Sequence, residues 1–174
     1  TARKREETLQ EAPLAVTALS GEQLMQEGLR DLTDLQRVVP NIDVAAGNDT
    51  QIYIRGVGAR NGRINYDSGV GVYLDGAYMS RMQGGNLVNV DLANIQVLRG
   101  PQGTLYGRNS TGGTVNMNTA RAQTQVLSGN IEGQYGNYEH KKITGHINVP
   151  VGDQLALRFA GIWLERDGYT ENLY

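Results

Sequence analysis

An α+β fold followed by a run of antiparallel strands is the architecture that this 174-residue sequence predicts. Three observations predict it. Two short stretches of helical apolar spacing lie among several short β-rich runs in the first 120 or so residues. Glycine, at 23 residues, punctuates that region with turns. From about residue 126 the spacing becomes period two, in runs of about ten residues, which is the repeat of a pleated strand.

The elements follow in order. Residues 1–11 are polar and charged, with Arg3, Lys4 and Arg5 followed by Glu6 and Glu7, and read as a leader outside any core. A short strand is expected at 14–19, after Pro13. Ser20 then stands where a helix N-cap is wanted, with Gln23 at the reciprocal position of a capping box. Leu24, Met25, Leu29, Leu32, Leu35, Val38 and Val39 recur at helical spacing, Gly28 divides them into two short helices, and Pro40 ends the second. Leu24, Leu29, Leu32, Leu35 and Val38 are the expected core contribution. Residues 51–55, 70–74 and 95–99 are β-rich. The polar, glycine-bearing stretches 56–68 and 80–86 between them read as exposed loops.

In the last fifty residues the alternation places Leu127, Ile131, Ile143, Ile147, Leu157 and Phe159 on one sheet face. Asn130, Glu132, Thr144, His146 and Arg158 fall on the other. A longer loop at 136–139 and a tight turn at 150–153 make this an up-and-down meander. Two architectures fit the pattern equally. One is a membrane barrel, with Tyr135, Tyr138, Trp163 and Tyr169 near strand ends as an interfacial girdle. The other is a soluble meander with one face in a core. Three strands do not close a barrel, so the membrane reading places most of the barrel beyond these residues.

Charge and composition remove several function classes. Sixteen Lys and Arg against eighteen Asp and Glu give a net −2, without the basic excess of a nucleic-acid binder. The absence of cysteine excludes disulfides, Cys-ligated zinc and thiol catalysis. No run approaches the roughly 20 apolar residues of a membrane helix, although barrel strands escape that criterion. The Gly-Val-Gly triplets at 56–58 and 69–71 miss the dinucleotide spacing, and 107–113 lacks the Lys-Ser/Thr of a phosphate loop. His140 and His146 sit about 20 Å apart at strand rise, too far for one metal. Asp75, Asp91 and Ser110 have no histidine nearby in sequence to suggest a triad. No catalytic constellation, metal or cofactor is expected.

One long motif is more specific. Residues 96–113, QVLRGPQGTLYGRNSTGG, followed by Val115 and Asn116, closely resemble the plug-domain signature of TonB-dependent outer-membrane receptors. Three further pieces resemble that family in the right order: PLAVTALS at 13–20, IYIRG at 52–56 and GVYLDG at 71–76. The sequence TARKR at 1–5 resembles the tail of the TonB-box region. The family's usual Glu in the "VEVLRGP" stretch is Gln96 here.

The resemblance implies an α+β plug domain, a small mixed sheet with two short helices, followed by antiparallel strands that open a transmembrane β-barrel left incomplete in this chain. It implies a leader at 1–12 following the TonB box, a plug at 13–122 and the first three barrel strands at 123–174. The implied function is that of an energy-coupled receptor of the Gram-negative outer membrane, with the plug inside the barrel lumen. It would import a siderophore, vitamin or other bulky nutrient. The implied partners are a TonB-type energy-transducing protein of the inner membrane, outer-membrane lipid and the nutrient ligand. Carried over residue by residue, Arg55 and Arg99 would lock the plug to acidic residues of the barrel wall, and Thr1, Ala2 and Arg3 belong to the energy-coupling leader. Ligand contacts would come from Arg60, Asn61, Arg63 and Tyr66 in one loop and Ser80, Arg81 and Gln83 in another. The alternative is a stand-alone plug-like module that binds a ligand or partner without transport.

Overall fold

The computed structural model describes residues 15–29, 31–45, 50–58, 68–80 and 91–168. The chain divides into two compact units, Thr1–Thr119 and Ala120–Tyr174.

The first unit opens on strand β1, Ala15–Ser20. Helix α1, Gly21–Gln26, starts where the sequence places it. The Ser20 side chain accepts from the Gln23 N–H, and the Gln23 side chain accepts from the Ser20 N–H, closing the capping box. Gly28 takes φ +63° and ends the helix. A 3-10 turn, Leu32–Asp34, is capped by the Asp31 carboxylate, which accepts from the Thr33 N–H, and runs into α2, Leu35–Val38. Leu24, Leu29, Leu32, Leu35 and Val39 are buried. The expectation named Val38 where the structure buries Val39 and leaves Val38 partly covered. α2 is a single turn whose C-cap, Val39, is already extended, so its side chain departs from helical phase and turns into the core.

The following segments form two sheets. β2 (Ile42–Ala45), β3 (Gln51–Ile54) and β4 (Val57–Gly58) make an antiparallel three-stranded sheet. β5 (Val70–Leu74), β6 (Ala77–Tyr78), β7 (Leu92–Arg99) and β8 (Gly113–Thr119) join β1 in a mixed sheet of order β1-β7-β8-β5-β6. Its one parallel ladder is β5 with β8. A single-turn helix α3, Gly103–Tyr106, sits in the β7–β8 connection. Ile95 and Val97 of β7, Val115 and Met117 of β8, and Val70 and Val72 of β5 pack with the helical leucines and with Val44, Ile52 and Ile54 in one core. Each large aliphatic side chain so buried contributes roughly 1.5–3 kcal/mol of transfer free energy.

Three short strands, β2, β4 and β6, and one long one, β8, were not expected. β4 and β6 are the return arms of hairpins whose two-residue turns are Arg55-Gly56 (φ +53°, +78°) and Asp75-Gly76 (φ +49°, +83°). Two successive positive-φ residues are the type I′ pattern, whose twist suits a two-residue hairpin. The stretch expected as a loop from residue 56 therefore begins with a strand. β8 reads TVNMNT after its glycine, and the asparagines hide a strand buried over most of its length.

The second unit is the expected meander: β9 (Ser128–Gly136), β10 (His140–Pro150) and β11 (Ala156–Glu165), in order β11-β10-β9. Gly145 pairs with Ile131 and Gly161, Ile147 with Gly129 and Phe159, Thr144 with Glu132 and Ile162, and His146 with Asn130 and Ala160. Cross-strand partners share a face, so the predicted division into two faces holds for every assigned residue within β9–β11, whereas Leu127 precedes β9 and has no cross-strand partner. The β10–β11 connection is longer than the expected tight turn at 150–153. Pro150 still belongs to β10, and the link is closed by the Val151 N–H donating to the Leu155 carbonyl at 2.7 Å.

Candidate functional site

At one end of the five-stranded sheet the register lines up Ala15, Arg99, Gly113 and Val70 across β1, β7, β8 and β5. Arg99 closes β7 and is half-buried. Its Nε donates to the Ala15 carbonyl at 3.4 Å and its Nη2 to Thr17 Oγ1 at 3.3 Å. Gly113 beside it has φ +152°, and a Cβ there would lie 2.3 Å from the Leu98 carbonyl oxygen, so no side chain fits. Gly112 leaves room for Val57, whose Cβ would be 2.7 Å from any side chain at that position. The β3–β4 hairpin thereby seats against the start of β8.

Arg55 stands exposed at the tip of that hairpin, its N–H donating to the Asn41 carbonyl at 2.9 Å. It borders an open depression of about 400 Å³ lined by Asn41, Ile42, Asp43, Tyr53 and Gly56. Both arginines assigned to locking the plug are therefore at strand ends or turns. Arg99 has local partners on β1 through Nε and Nη2, and Arg55 is exposed.

The proposed ligand loops are held at their roots. Gly58 and Ser68 flank residues 59–67, and the Gly112 N–H donates to the Gly69 carbonyl at 2.8 Å. Ser80 is exposed. Arg60, Asn61, Arg63, Tyr66, Arg81 and Gln83, and the leader residues Thr1, Ala2 and Arg3, lie outside the described residues. Among the described residues no three His, Cys, Asp or Glu cluster as metal ligands.

On the sheet face opposite the core, Asn94 and Gln96 of β7 oppose Asn118 and Asn116 of β8. Gln96 Nε2 donates to Asn94 Oδ1 at 3.2 Å, and Asn118 Nδ2 donates to the same oxygen at 2.8 Å. Gln96 Oε1 and Thr114 Oγ1 are buried without a hydrogen-bond partner. A neutral amide suits such a place, since an unpaired carboxylate would be far costlier to bury. Sequence reasoning identified Gln96 as a departure but not its burial.

Three further groups were missed. Asp75 Oδ1 accepts from the Thr119 N–H and Oδ2 from Thr119 Oγ1, both at 2.8 Å, clasping the end of β8. The Asp-Gly pair after a strand is the signal that could have found this turn. Tyr73 packs between Tyr78 and Tyr106, with ring centroids 5.4 and 5.1 Å away, and donates its hydroxyl to the Tyr106 carbonyl. Burial pushes the Tyr73 and Tyr106 hydroxyls above the usual phenol range, reinforced by Tyr78 beside Tyr73 and by Tyr73 beside Tyr106. In the second unit, Asn148 is fully buried. Its amide donates to the carbonyls of Gln123 and Val126, and its oxygen accepts from the Gln123 N–H, fastening the segment that leads into β9. An asparagine at an alternating polar position carries no sequence sign of such a role.

The apolar face of the second unit is uncovered. Ile131 is 79% exposed and Phe159 61%, while on the polar face Lys142 and Asn148 of the central strand are 8% and 0% exposed and Asn130 and Glu132 of β9 are exposed. A soluble meander packs its apolar face into a core. An apolar outer band over a polar inner face is the arrangement of barrel strands in lipid.

Comparison with known proteins agrees with this geometry. Residues 8–114 match the family model described as TonB-dependent receptor plug domain. The chain is 29% identical to the iron-regulated outer membrane virulence protein of Vibrio cholerae, over 92% of this chain and 26% of that protein. It superimposes on the ferric yersiniabactin uptake receptor FyuA of Yersinia pestis with TM-score 0.71 at 26% identity, covering 88% of this chain and 24% of that one. It shares the fold of the ferripyoverdine receptor of Pseudomonas aeruginosa, with TM-score 0.76 at 21% identity over 95% of this chain and 22% of that one. The chain thus spans about a quarter of the length of the relatives it matches.

Proposed function

The chain belongs to the TonB-dependent receptor plug-domain family, and from that premise we propose that its parent protein is an energy-coupled outer-membrane importer. In this reading residues 13–122 are the plug that gates the barrel, residues 123–174 open the barrel wall, and the leader at 1–12 engages a TonB-type protein of the inner membrane. The observation that carries the proposal is the uncovered apolar face of the sheet β9–β11. Its apolar side chains, Ile131, Phe159 and Trp163 among them, face outward while Asn148 and Lys142 are covered. A separately soluble binding module would leave that apolar band in water, where it invites association.

The ligand is a bulky nutrient such as a siderophore or vitamin, met by Arg60, Asn61, Arg63 and Tyr66 and by Ser80, Arg81 and Gln83. Relatives named for iron regulation and for ferric yersiniabactin uptake favour a ferric chelate. Arginines suit such an anion, because the guanidinium stays charged and binds carboxylates in a fork. Arg55 and Arg99 hold the plug against barrel carboxylates.

The test is uptake of radiolabelled iron chelates and of vitamin B12 in cells with and without the full-length gene, with the proton gradient intact or collapsed. Gene-dependent, gradient-dependent uptake is expected. Binding without gradient-dependent uptake would favour the stand-alone module. In the same cells Arg55→Ala is expected to raise passive entry of small solutes. Arg121→Ala, at an exposed position two residues beyond β8, is expected to change it little. Equal effects would remove Arg55 from the lock.

A further inference from the structure

The chain joins its two compact units through residues 120–127, which belong to no strand. On the first unit's side this stretch leaves a fixed point. Thr119 ends β8, and Asp75 grips it: Oδ1 accepts from the Thr119 N–H and Oδ2 from Thr119 Oγ1, both at 2.8 Å. The Asp75 N–H in turn donates to the Met117 carbonyl at 2.9 Å. On the second unit's side the first fixed point is Gln123. Asn148 Oδ1 accepts from the Gln123 N–H at 2.8 Å, and Nδ2 donates to the carbonyls of Gln123 at 2.8 Å and Val126 at 2.6 Å. A side-chain amide offers the donor and acceptor of a peptide group, so Asn148 holds Gln123 as a neighbouring strand would. Among the described residues the backbone of 120–127 makes no hydrogen bond except to Asn148.

These two grips set a length. Ala120, Arg121 and Ala122 lie between them, and Arg121 and Ala122 are exposed. Four backbone steps lead from residue 119 to residue 123. An extended chain spans at most about 3.5 Å per step, so the two points cannot part by more than about 14 Å. Without Asn148 the next fixed point is Ser128, the first residue of β9, nine steps from Thr119. The limit then rises to about 30 Å. The apolar band of a membrane barrel is about 25 Å tall, which falls between the two limits. Asn148 is itself firmly placed. It is fully buried, and it sits in the central strand between Ser128 of β9 and Arg158 of β11. Pulling Gln123 away would leave a buried amide without partners, which costs more than the bonds are worth in water.

We propose that Asp75 and Asn148 are positioning residues that make 120–122 a three-residue hinge, and that Asn148 limits how far the end of β8 travels from the start of the β9–β11 sheet. While Asn148 holds, a pulled first unit rearranges or swings about Thr119 and does not depart bodily. The limit on travel rests on the reading above that the first unit is the plug of a transporter and the second opens its barrel. The pair of grips needs only this chain.

The test is amide hydrogen exchange on the full-length receptor in outer-membrane vesicles, read at Thr119, at Gln123 and, as a reference, at Ile147. Asn148→Leu removes all three bonds at similar volume, and Asp75→Gly removes the carboxylate while keeping a residue at ease with positive φ. Asn148→Leu is expected to speed exchange at Gln123 by about 3- to 10-fold, the size of one lost net hydrogen bond, with Thr119 and Ile147 unchanged. Asp75→Gly is expected to do the same at Thr119 with Gln123 unchanged. Asp75→Asn, which keeps an acceptor for the Thr119 N–H, is expected to restore most of that protection. An unchanged amide at either gripped residue, or an equal rise at Ile147, would overturn the pair of grips. The limit on travel is read with a five-residue Gly-Ser insertion after Arg121, which gives the longer reach while both side chains stay in place. In cells, Asn148→Leu and the insertion are each expected to raise gradient-dependent entry of small solutes. A rise in only one of them, or in neither, would overturn the limit. Where Asn148→Leu lowers the yield of folded barrel, Asn148→Asp, which keeps the acceptor and loses both donors, takes its place. Exchange does not depend on transport, so the expected exchange pattern without gradient-driven uptake by the unaltered receptor would defeat the transport reading alone.

Discussion

Single side chains decide several features of this fold by what they cannot leave unpaired. Tyr73 lies against the β7–β8 connection and donates its hydroxyl to the Tyr106 carbonyl. Its ionisation is disfavoured by burial and by Tyr78. The folded state therefore holds the phenol proton to higher pH than the unfolded chain does. The stabilisation linked to this proton is complete below the unfolded value of about 10 and is lost as pH rises beyond it. Tyr73→Phe is expected to flatten the fall in stability above about pH 10, and to cost about 0.5–1.5 kcal/mol near neutrality for the lost bond. Denaturant unfolding from pH 8 upward measures both. A fall with the same slope in wild type and variant would assign the alkaline sensitivity elsewhere.

At the scale of elements, the helical segment between β1 and β2 is the part whose stability is most directly tied to packing. Its helices are a few residues long, too short to persist on propensity alone. They are fixed by the Ser20–Gln23 box at one end and by the side chains they bury. Leu32 and Leu35 are 0% exposed. Leu32→Ala is expected to destabilise the first unit by about 2–5 kcal/mol, because the surrounding strands cannot collapse into the space. Ser20→Ala is expected to cost about 0.5–2 kcal/mol through the lost cap. Urea unfolding followed by circular dichroism ranks the two. A smaller loss for Leu32→Ala than for Ser20→Ala would mean that capping, and not burial, holds the segment.

At the scale of the whole molecule the issue is which solvent the second unit was built for. Ile131 is largely exposed on the apolar face, and Thr144 lies on the polar one. In the full-length receptor, Ile131→Arg is expected to cost roughly 2–4 kcal/mol if it lies near the bilayer midplane. Thr144→Arg, on the face turned from lipid, is expected to have a small effect. Refolding yield into lipid vesicles, followed by the gel-mobility shift of the folded barrel, measures the difference. Equal tolerance at both positions would argue for a water-facing sheet.

The sequence by itself determined the capping box, the helical leucines, the strand at 70–74 and both faces of the β9–β11 meander. Each of these is local: a cap spans three residues, and a strand's faces follow from alternation alone. The long motif at 96–113 also identified the family without any geometry. Other features were decided only in three dimensions. Val39, not Val38, enters the core because α2 ends one residue earlier than its apolar spacing suggests. β8 is a buried strand despite its asparagines because β7 and β5 pair with both of its edges. Whether Arg99 faces solvent or a partner depended on β1, which lies more than eighty residues earlier in the chain, arriving beside it. The role of Asn148 likewise required the segment before β9 to cross back over β10. These are contacts between residues distant in sequence, and periodicity carries information only about near neighbours. The composition of the apolar face was written in the alternation, but that this face stays uncovered became visible only in the structure, where Ile131 and Phe159 are exposed while Lys142 and Asn148 of the central strand are buried.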